Sequence, residues 1–172
     1  KHPYTITKKY AEELIKKICI KNNIDFLILR LSNLIGPPAH VEVNSWGLFA
    51  NQICLKILQK RDFLINNPYE LRDFLSIETF LKFLGNEIKG EISSQVINVC
   101  SSKSLKIIDF AKIIIQIAKN DFNQDPKIKF KKNEKNFFES KLLIKSRNSY
   151  YFQNNDLKNE IKLIFKFIKK YF

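Results

Sequence analysis

Glycine is scarce in this chain, with four in 172 residues, and Gly36, Gly47, Gly85 and Gly90 each stand alone. Loops that cradle phosphate need clustered glycines, so neither a dinucleotide-binding fingerprint nor a P-loop is present. Cysteine is nearly as sparse. Cys19, Cys54 and Cys100 lie far apart in apolar surroundings. No two have metal or redox spacing, so the expectation is buried, reduced thiols in a cytoplasmic protein. Long apolar runs are missing too: the longest, around Ile113–Ile115, is broken by Lys112 and Gln116. Neither a transmembrane run nor a signal peptide is read in the chain. His2 and His40 have no carboxylate or cysteine cluster at metal spacing and read as loop residues.

Acidic residues are in deficit, with 17 Asp and Glu against 30 Lys and Arg, a formal net charge of +13. Such a balance fits a binder of nucleic acid or of an anionic membrane. It equally fits a Lys-, Asn- and Ile-rich coding bias. Lysine greatly outnumbers arginine here, the basic residues are spread along the chain, and no nucleic-acid motif occurs. The expectation is therefore no nucleic-acid and no membrane partner. What the chain has in quantity is apolar surface, 45% hydrophobic with 13% aromatic residues. That excludes disorder and suffices for one domain with a core.

Hydrophobic spacing orders the elements. Residues 4 to 22 read as a helix with Ala11, Leu14, Ile15 and Ile18 on one stripe. Asp25–Leu31 is almost continuously apolar, as a strand buried on both faces is. Helix followed directly by such a strand marks a parallel α/β sheet. Ser32–Pro38 reads as a loop at the strand's carboxyl end, where open α/β sheets bind ligands. A second helix is expected over 45–60, with Trp46, Phe49, Ile53 and Ile57 at helical spacing. Strands follow at Phe63–Ile65, Leu71–Ile77, Gln95–Cys100 and Lys127–Phe130. Helices are expected from Glu78 to about Asn86, over Ile107–Lys119 and over Asp156–Phe172. Residues 131 to 150 read as a mobile loop.

Within the first helix, Tyr4 and Lys8 stand four residues apart on one face. A phenol beside an ammonium is an acid/base unit, because the positive charge favours the phenolate. One such pair arises easily by chance. Two further stretches follow it: Arg30-Leu31-Ser32-Asn33-Leu34-Ile35-Gly36-Pro37 and Arg72-Asp73-Phe74-Leu75-Ser76-Ile77. In this order and spacing they resemble the NAD-dependent epimerase/dehydratase branch of the extended short-chain dehydrogenase/reductase superfamily. The run Val43–Gln52 resembles members tied to surface polysaccharides such as lipopolysaccharide.

The resemblance implies an α/β fold, the C-terminal part of a Rossmann-like parallel sheet with a small α+β substrate-binding lobe. Residues 1–36 and 77–120 would close the NAD-binding domain, and 37–76 and 121–172 would form the lobe. It implies Tyr4 as general acid/base and Lys8 as its modulator, bonded to the nicotinamide ribose. Leu31 and Ser32 would lie beside the nicotinamide. Asn33, Asn44 and Ser45 would contact substrate, and Arg72 would bind the diphosphate of a nucleotide-diphosphate sugar. For Asn33 the competing role is satisfying its own turn, for Arg72 a surface salt bridge to Glu70 or Asp73, and for Trp46 a place in the core. Asp73 is expected to hold local structure. NAD or NADP would be the cofactor, no metal would be needed, and a homodimer could form through the Tyr4–Lys8 helix. The family's glycine-rich half lies upstream of Lys1, so this chain alone is expected to be inactive. A non-catalytic remnant or basic binding module is the alternative.

Overall fold

The computed structural model describes residues 2–91, 93–131, 152 and 155–172. The loop expected over 131–150 lies, beyond its first residue, outside the described residues. Among the described residues, five helices separate strands that come singly or in consecutive pairs. Helix α1, Pro3–Lys21, begins with Pro3 at its first position, and the His2 Nδ1 accepts the Tyr4 amide at 3.3 Å. It ends at Asn22, after which Asn23 takes a left-handed conformation, φ 52°. Strand β1, Leu27–Leu31, pairs in parallel with β5, Gln95–Val99, with Leu29 opposite Ile97.

Strand β2, Asn33–Ile35, pairs in parallel with β4, Leu71–Ser76, and β4 pairs antiparallel with β6, Ser104–Lys106. Strand β3, Phe63–Ile65, pairs in parallel with β7, Ile128–Phe130. The remaining helices are α2, Phe49–Leu58; α3, Ile77–Lys89; α4, Ile107–Phe122; and α5, Leu157–Tyr171. The chain is thus a mixed α/β structure dominated by parallel pairings.

Strand β4 divides two cores. Successive side chains of a strand point to opposite faces. Phe74 joins the core built by α2, α4 and α5, with Ile53, Phe110, Ile114, Ile161 and Phe165. Its ring stacks on Phe110 with centroids 3.9 Å apart. Leu75 joins Phe83, Ile97, Val99 and Phe152 on the other side. Helix α4, placed by the expected division with the NAD-binding domain, shares its core with α2 and α5.

Several expectations need correction. Strand β1 is not buried on both faces: Leu27–Leu29 are half-buried and Arg30 and Leu31 are exposed, because β5 is its one partner among the described strands. The stretch taken as a loop contains β2, which is held by pairing to β4 rather than by any pattern of its own. The second helix starts at Phe49, after Trp46. The indole nitrogen of Trp46 instead donates to the Val41 carbonyl at 3.3 Å. Cys54 and Cys100 are buried, but Cys19 is only half-buried, since α1 has no buried residue. Burial pushes the Cys54 and Cys100 thiols up, which leaves both protonated and inert.

Candidate functional site

Tyr4 and Lys8 come together as their spacing requires. The Lys8 Nζ lies 5.5 Å from the centroid of the Tyr4 ring. Tyr4 is 65% exposed, so the phenol stands free on the first turn of α1. One helical step further along the same face, Glu12 binds the guanidinium of Arg30 on β1. Its Oε1 accepts from Nη2 at 2.6 Å and its Oε2 from Nε at 3.0 Å. Lys16 adds a third bond, to Oε1 at 2.8 Å. The Arg30 hydrogen bonds foremost, then those of Lys16, hold the Glu12 carboxyl at a pKa of about 2.

Directly after Arg30, the end of β1 carries Leu31, Ser32 and Asn33. Leu31 is exposed, and the Ser32 amide donates to the Val99 carbonyl at 2.9 Å, which fixes this turn against β5. The Ser32 Oγ is buried and lacks a hydrogen-bond partner, alone in this among side-chain polar atoms of the described residues. Orphaned buried hydroxyls are rare and point to a missing partner. The Asn33 Nδ2 donates to the Asp73 carbonyl at 2.8 Å, so its amide spans β2 and β4 rather than closing its own turn.

Asp73 is 1% exposed and takes both donors of Ser101: the amide at 2.8 Å on Oδ1 and the hydroxyl at 2.9 Å on Oδ2. It therefore locks the end of β5 to β4, the structural role expected of it. Its neighbour Arg72 points the other way, to solvent, and pairs with Glu70 at 2.7 Å. Of its two expected roles, the surface salt bridge is the one the structure displays, with the guanidinium still exposed. Ser45 anchors the segment before α2, where the buried Asn51 donates to its carbonyl at 3.3 Å and to its hydroxyl at 3.2 Å. Asn44 beside it is exposed. Trp46 packs edge-on against Phe172, centroids 5.0 Å apart, and borders the larger core.

Tyr4 and Lys8 therefore lie in contact through the ring face, while hydrogen bonds unite α1 with β1 and Asn33 with Asp73 and, through Asp73, Ser101. Asn44 and Ser45 belong to a different segment. Sequence reasoning missed the Glu12–Arg30 pair, Asn51 and Ser101. Glu12 alone carried a signal, its place one helical step after Lys8. No group of three or more His, Cys, Asp or Glu that could hold a metal occurs among the described residues. None of the described helices is long and apolar enough to cross a membrane.

The architecture is that of the Rossmann-type epimerases. RMD from Pseudomonas aeruginosa, solved with NADPH, superimposes with a TM-score of 0.73 at 17% identity, covering 98% of this chain and 56% of that one. UDP-N-acetylglucosamine 4-epimerase from Methanobrevibacter ruminantium, solved with UDP-N-acetylmuramic acid, gives 0.74 at 21%, covering 98% and 54%. UDP-glucuronic acid 4-epimerase from Bacillus cereus, solved with NAD, gives 0.72 at 19%, covering 98% and 53%. The chain thus spans about half the length of these structures, and at such identities the likeness is one of fold. No curated protein sequence matches the chain. In sequence, residues 1–85 match the model of the NAD dependent epimerase/dehydratase family.

Proposed function

We propose that the whole protein is a nucleotide-sugar epimerase/dehydratase-type oxidoreductase using NAD or NADP, serving surface-polysaccharide synthesis, and that this chain supplies its acid/base pair. The observation that carries the reading is the Tyr4–Lys8 pair, the Lys8 Nζ 5.5 Å from the Tyr4 ring centroid, on an open first turn and inside the segment that matches the family. As phenolate, a tyrosine side chain beside an ammonium can take the proton of a sugar hydroxyl, and as phenol it can give the proton back. A nicotinamide, when bound, supplies the acceptor and donor of hydride at the sugar carbon.

The residues present fit such a group. Ser32 holds a buried hydroxyl without a partner at the carboxyl end of β1, and Lys8 carries its ammonium over the Tyr4 ring. Lys8 would hold the nicotinamide ribose, with Leu31 and Ser32 beside the nicotinamide. Asn33, Asn44 and Ser45 would orient the sugar nucleotide, and the exposed Arg72 would exchange Glu70 for the diphosphate, whose paired oxygens suit its fork. Leu14 and Ile18 are 58% and 50% exposed on α1, an apolar face that a second copy of the protein would cover. Sedimentation as a monomer throughout the micromolar range would remove the dimer from this reading.

The decisive test is Tyr4→Phe in the full-length protein, assayed with NAD and a panel of nucleotide-diphosphate sugars. Turnover should fall by roughly 10²–10⁴-fold with the circular dichroism spectrum unchanged. Unaltered turnover would take Tyr4 out of the chemistry.

A further inference from the structure

Helix α1 carries the proposed acid/base pair, yet apolar packing within this chain does not hold it. None of its 19 residues is buried. Its apolar stripe faces solvent, with Leu14, Ile15 and Ile18 all at least 45% exposed. The positions turned inward are Glu12, Lys16 and Cys19, which are half-buried and share one side of the helix. The Glu12 side chain is only 15% exposed, whereas that of Arg30 is 55% exposed.

We infer that Glu12 and Arg30 are positioning residues whose clamp sets the rotation and height of α1, and so the place of Tyr4 and Lys8 at the carboxyl end of β1. The inference rests on the acid/base reading of Tyr4. The geometry is specific to this task. Two bonds from one carboxylate to the Nε and Nη2 of one guanidinium, at 3.0 and 2.6 Å, fix orientation as well as distance. Lys8 and Tyr4 lie one and two four-residue steps before Glu12 on the same face, about 6 and 12 Å along the axis. A turn of α1 about its axis at Glu12 therefore carries the phenol with it. Arg30 is the residue immediately before Leu31 and Ser32, so the clamp references the pair to the strand end where a ligand would sit. Within this chain apolar burial gives α1 no other preferred rotation, and Lys16 binds the same carboxylate from within α1.

An ion pair whose guanidinium is 55% exposed adds little to global stability, so its loss should be felt in placement rather than in folding. The test uses the full-length protein in four forms: Glu12→Gln, Arg30→Gln, the exchange Glu12→Arg with Arg30→Glu, and Tyr4→Phe. The two single clamp variants should lose about 10–100-fold in kcat, the scale of a misplaced catalytic group. KM for the sugar nucleotide should stay near its original value, and the exchange should recover much of the lost kcat. A residue that merely supported the fold would not show this split between kcat and KM, nor rescue by reversed charges. If Tyr4→Phe abolishes turnover while Glu12→Gln keeps it, the clamp inference is overturned and the acid/base reading stands. If Tyr4→Phe is fully active, both fall together. Should Glu12→Gln fail to fold, the exchange variant decides. Folded with restored kcat, it supports the clamp; folded with low kcat, it overturns it.

Discussion

The Ser76 hydroxyl donates to the Glu160 Oε1 at 2.8 Å, a buried bond between residues 84 apart in sequence. It joins the end of β4 to α5. The same carboxylate oxygen accepts the Glu78 amide at 2.9 Å, while the Ser76 Oγ accepts the Thr79 amide at 3.1 Å. A carboxylate from a distant helix thus completes the cap of α3, where free amide groups favour negative charge. Asn155 reinforces it from the same side, its Oδ1 accepting the Ser76 amide at 2.7 Å and its Nδ2 donating to the Phe74 carbonyl at 2.8 Å.

Glu160→Ala should therefore destabilise the protein by about 2–3 kcal/mol, because it strands a buried hydroxyl and a helix amide. Glu160→Gln keeps a carbonyl oxygen to accept from both and should lose clearly less. Urea unfolding midpoints compare the two. Equal losses would mean that packing, not hydrogen bonding, is what Glu160 provides.

Gly36 is confined by the same junction. A Cβ there would meet the Ile77 Cβ at 3.0 Å and the Glu160 Oε2 at 3.1 Å. Gly36→Ala should cost about 1–3 kcal/mol through overpacking. Gly85 lies within α3 with nothing within 4 Å of an added Cβ, and none of the described glycines has positive φ. Gly85→Ala should accordingly stabilise by roughly 0.5–1 kcal/mol, the helix preference of alanine. Thermal melts of the two variants should shift in opposite directions, and a shared direction would refute the contrast.

The sequence made legible whatever repeats locally. Phe110, Ile114 and Ile117 announce α4, Ile161, Ile164 and Ile168 announce α5, and the alternation in Lys127–Phe130 locates β7. The Tyr4–Lys8 face follows from helical spacing alone. What stayed hidden depends on partners far along the chain. Asn33 sits amid Gly and Pro, so it reads as loop, yet its strand exists because β4 lies beside it 40 residues later. Glu160 looks like one more charge on a lysine-rich helix until Ser76 is folded against it. Trp46 keeps helical register with Phe49 and Ile53, but Phe167 and Phe172 at the far end of the chain hold its ring outside the helix.

Arg72 separates a surface role from a binding one. Its side chain is 46% exposed and bound to Glu70, a pair worth at most about 1 kcal/mol. Arg72→Gln should thus leave the unfolding midpoint almost unmoved. On the proposed reading it removes a charge-assisted bond to the diphosphate, which should raise KM for the sugar nucleotide about 10–100-fold. Initial-rate kinetics on the full-length protein give the answer, and a normal KM would assign Arg72 to the surface alone.

Acid should release α1 from β1. The Glu12 carboxyl titrates at about 2 in the folded chain, against an ordinary value of 4.5, chiefly through its hydrogen bonds to Arg30 and then to Lys16. A group whose folded value is depressed binds its proton more readily when unfolded. The clamp's contribution is therefore complete above about pH 4.5 and fades as pH falls toward 2. Arg30 keeps its charge throughout, so the change belongs to Glu12. Protection of the α1 amides against hydrogen exchange, corrected for the intrinsic pH dependence of exchange, should fall over that window in the wild type. Glu12→Gln has no carboxylate to protonate, so its exchange in α1 should be fast already at neutral pH and should lack this step. An identical acid response in both proteins would show that α1 is held by something other than Glu12.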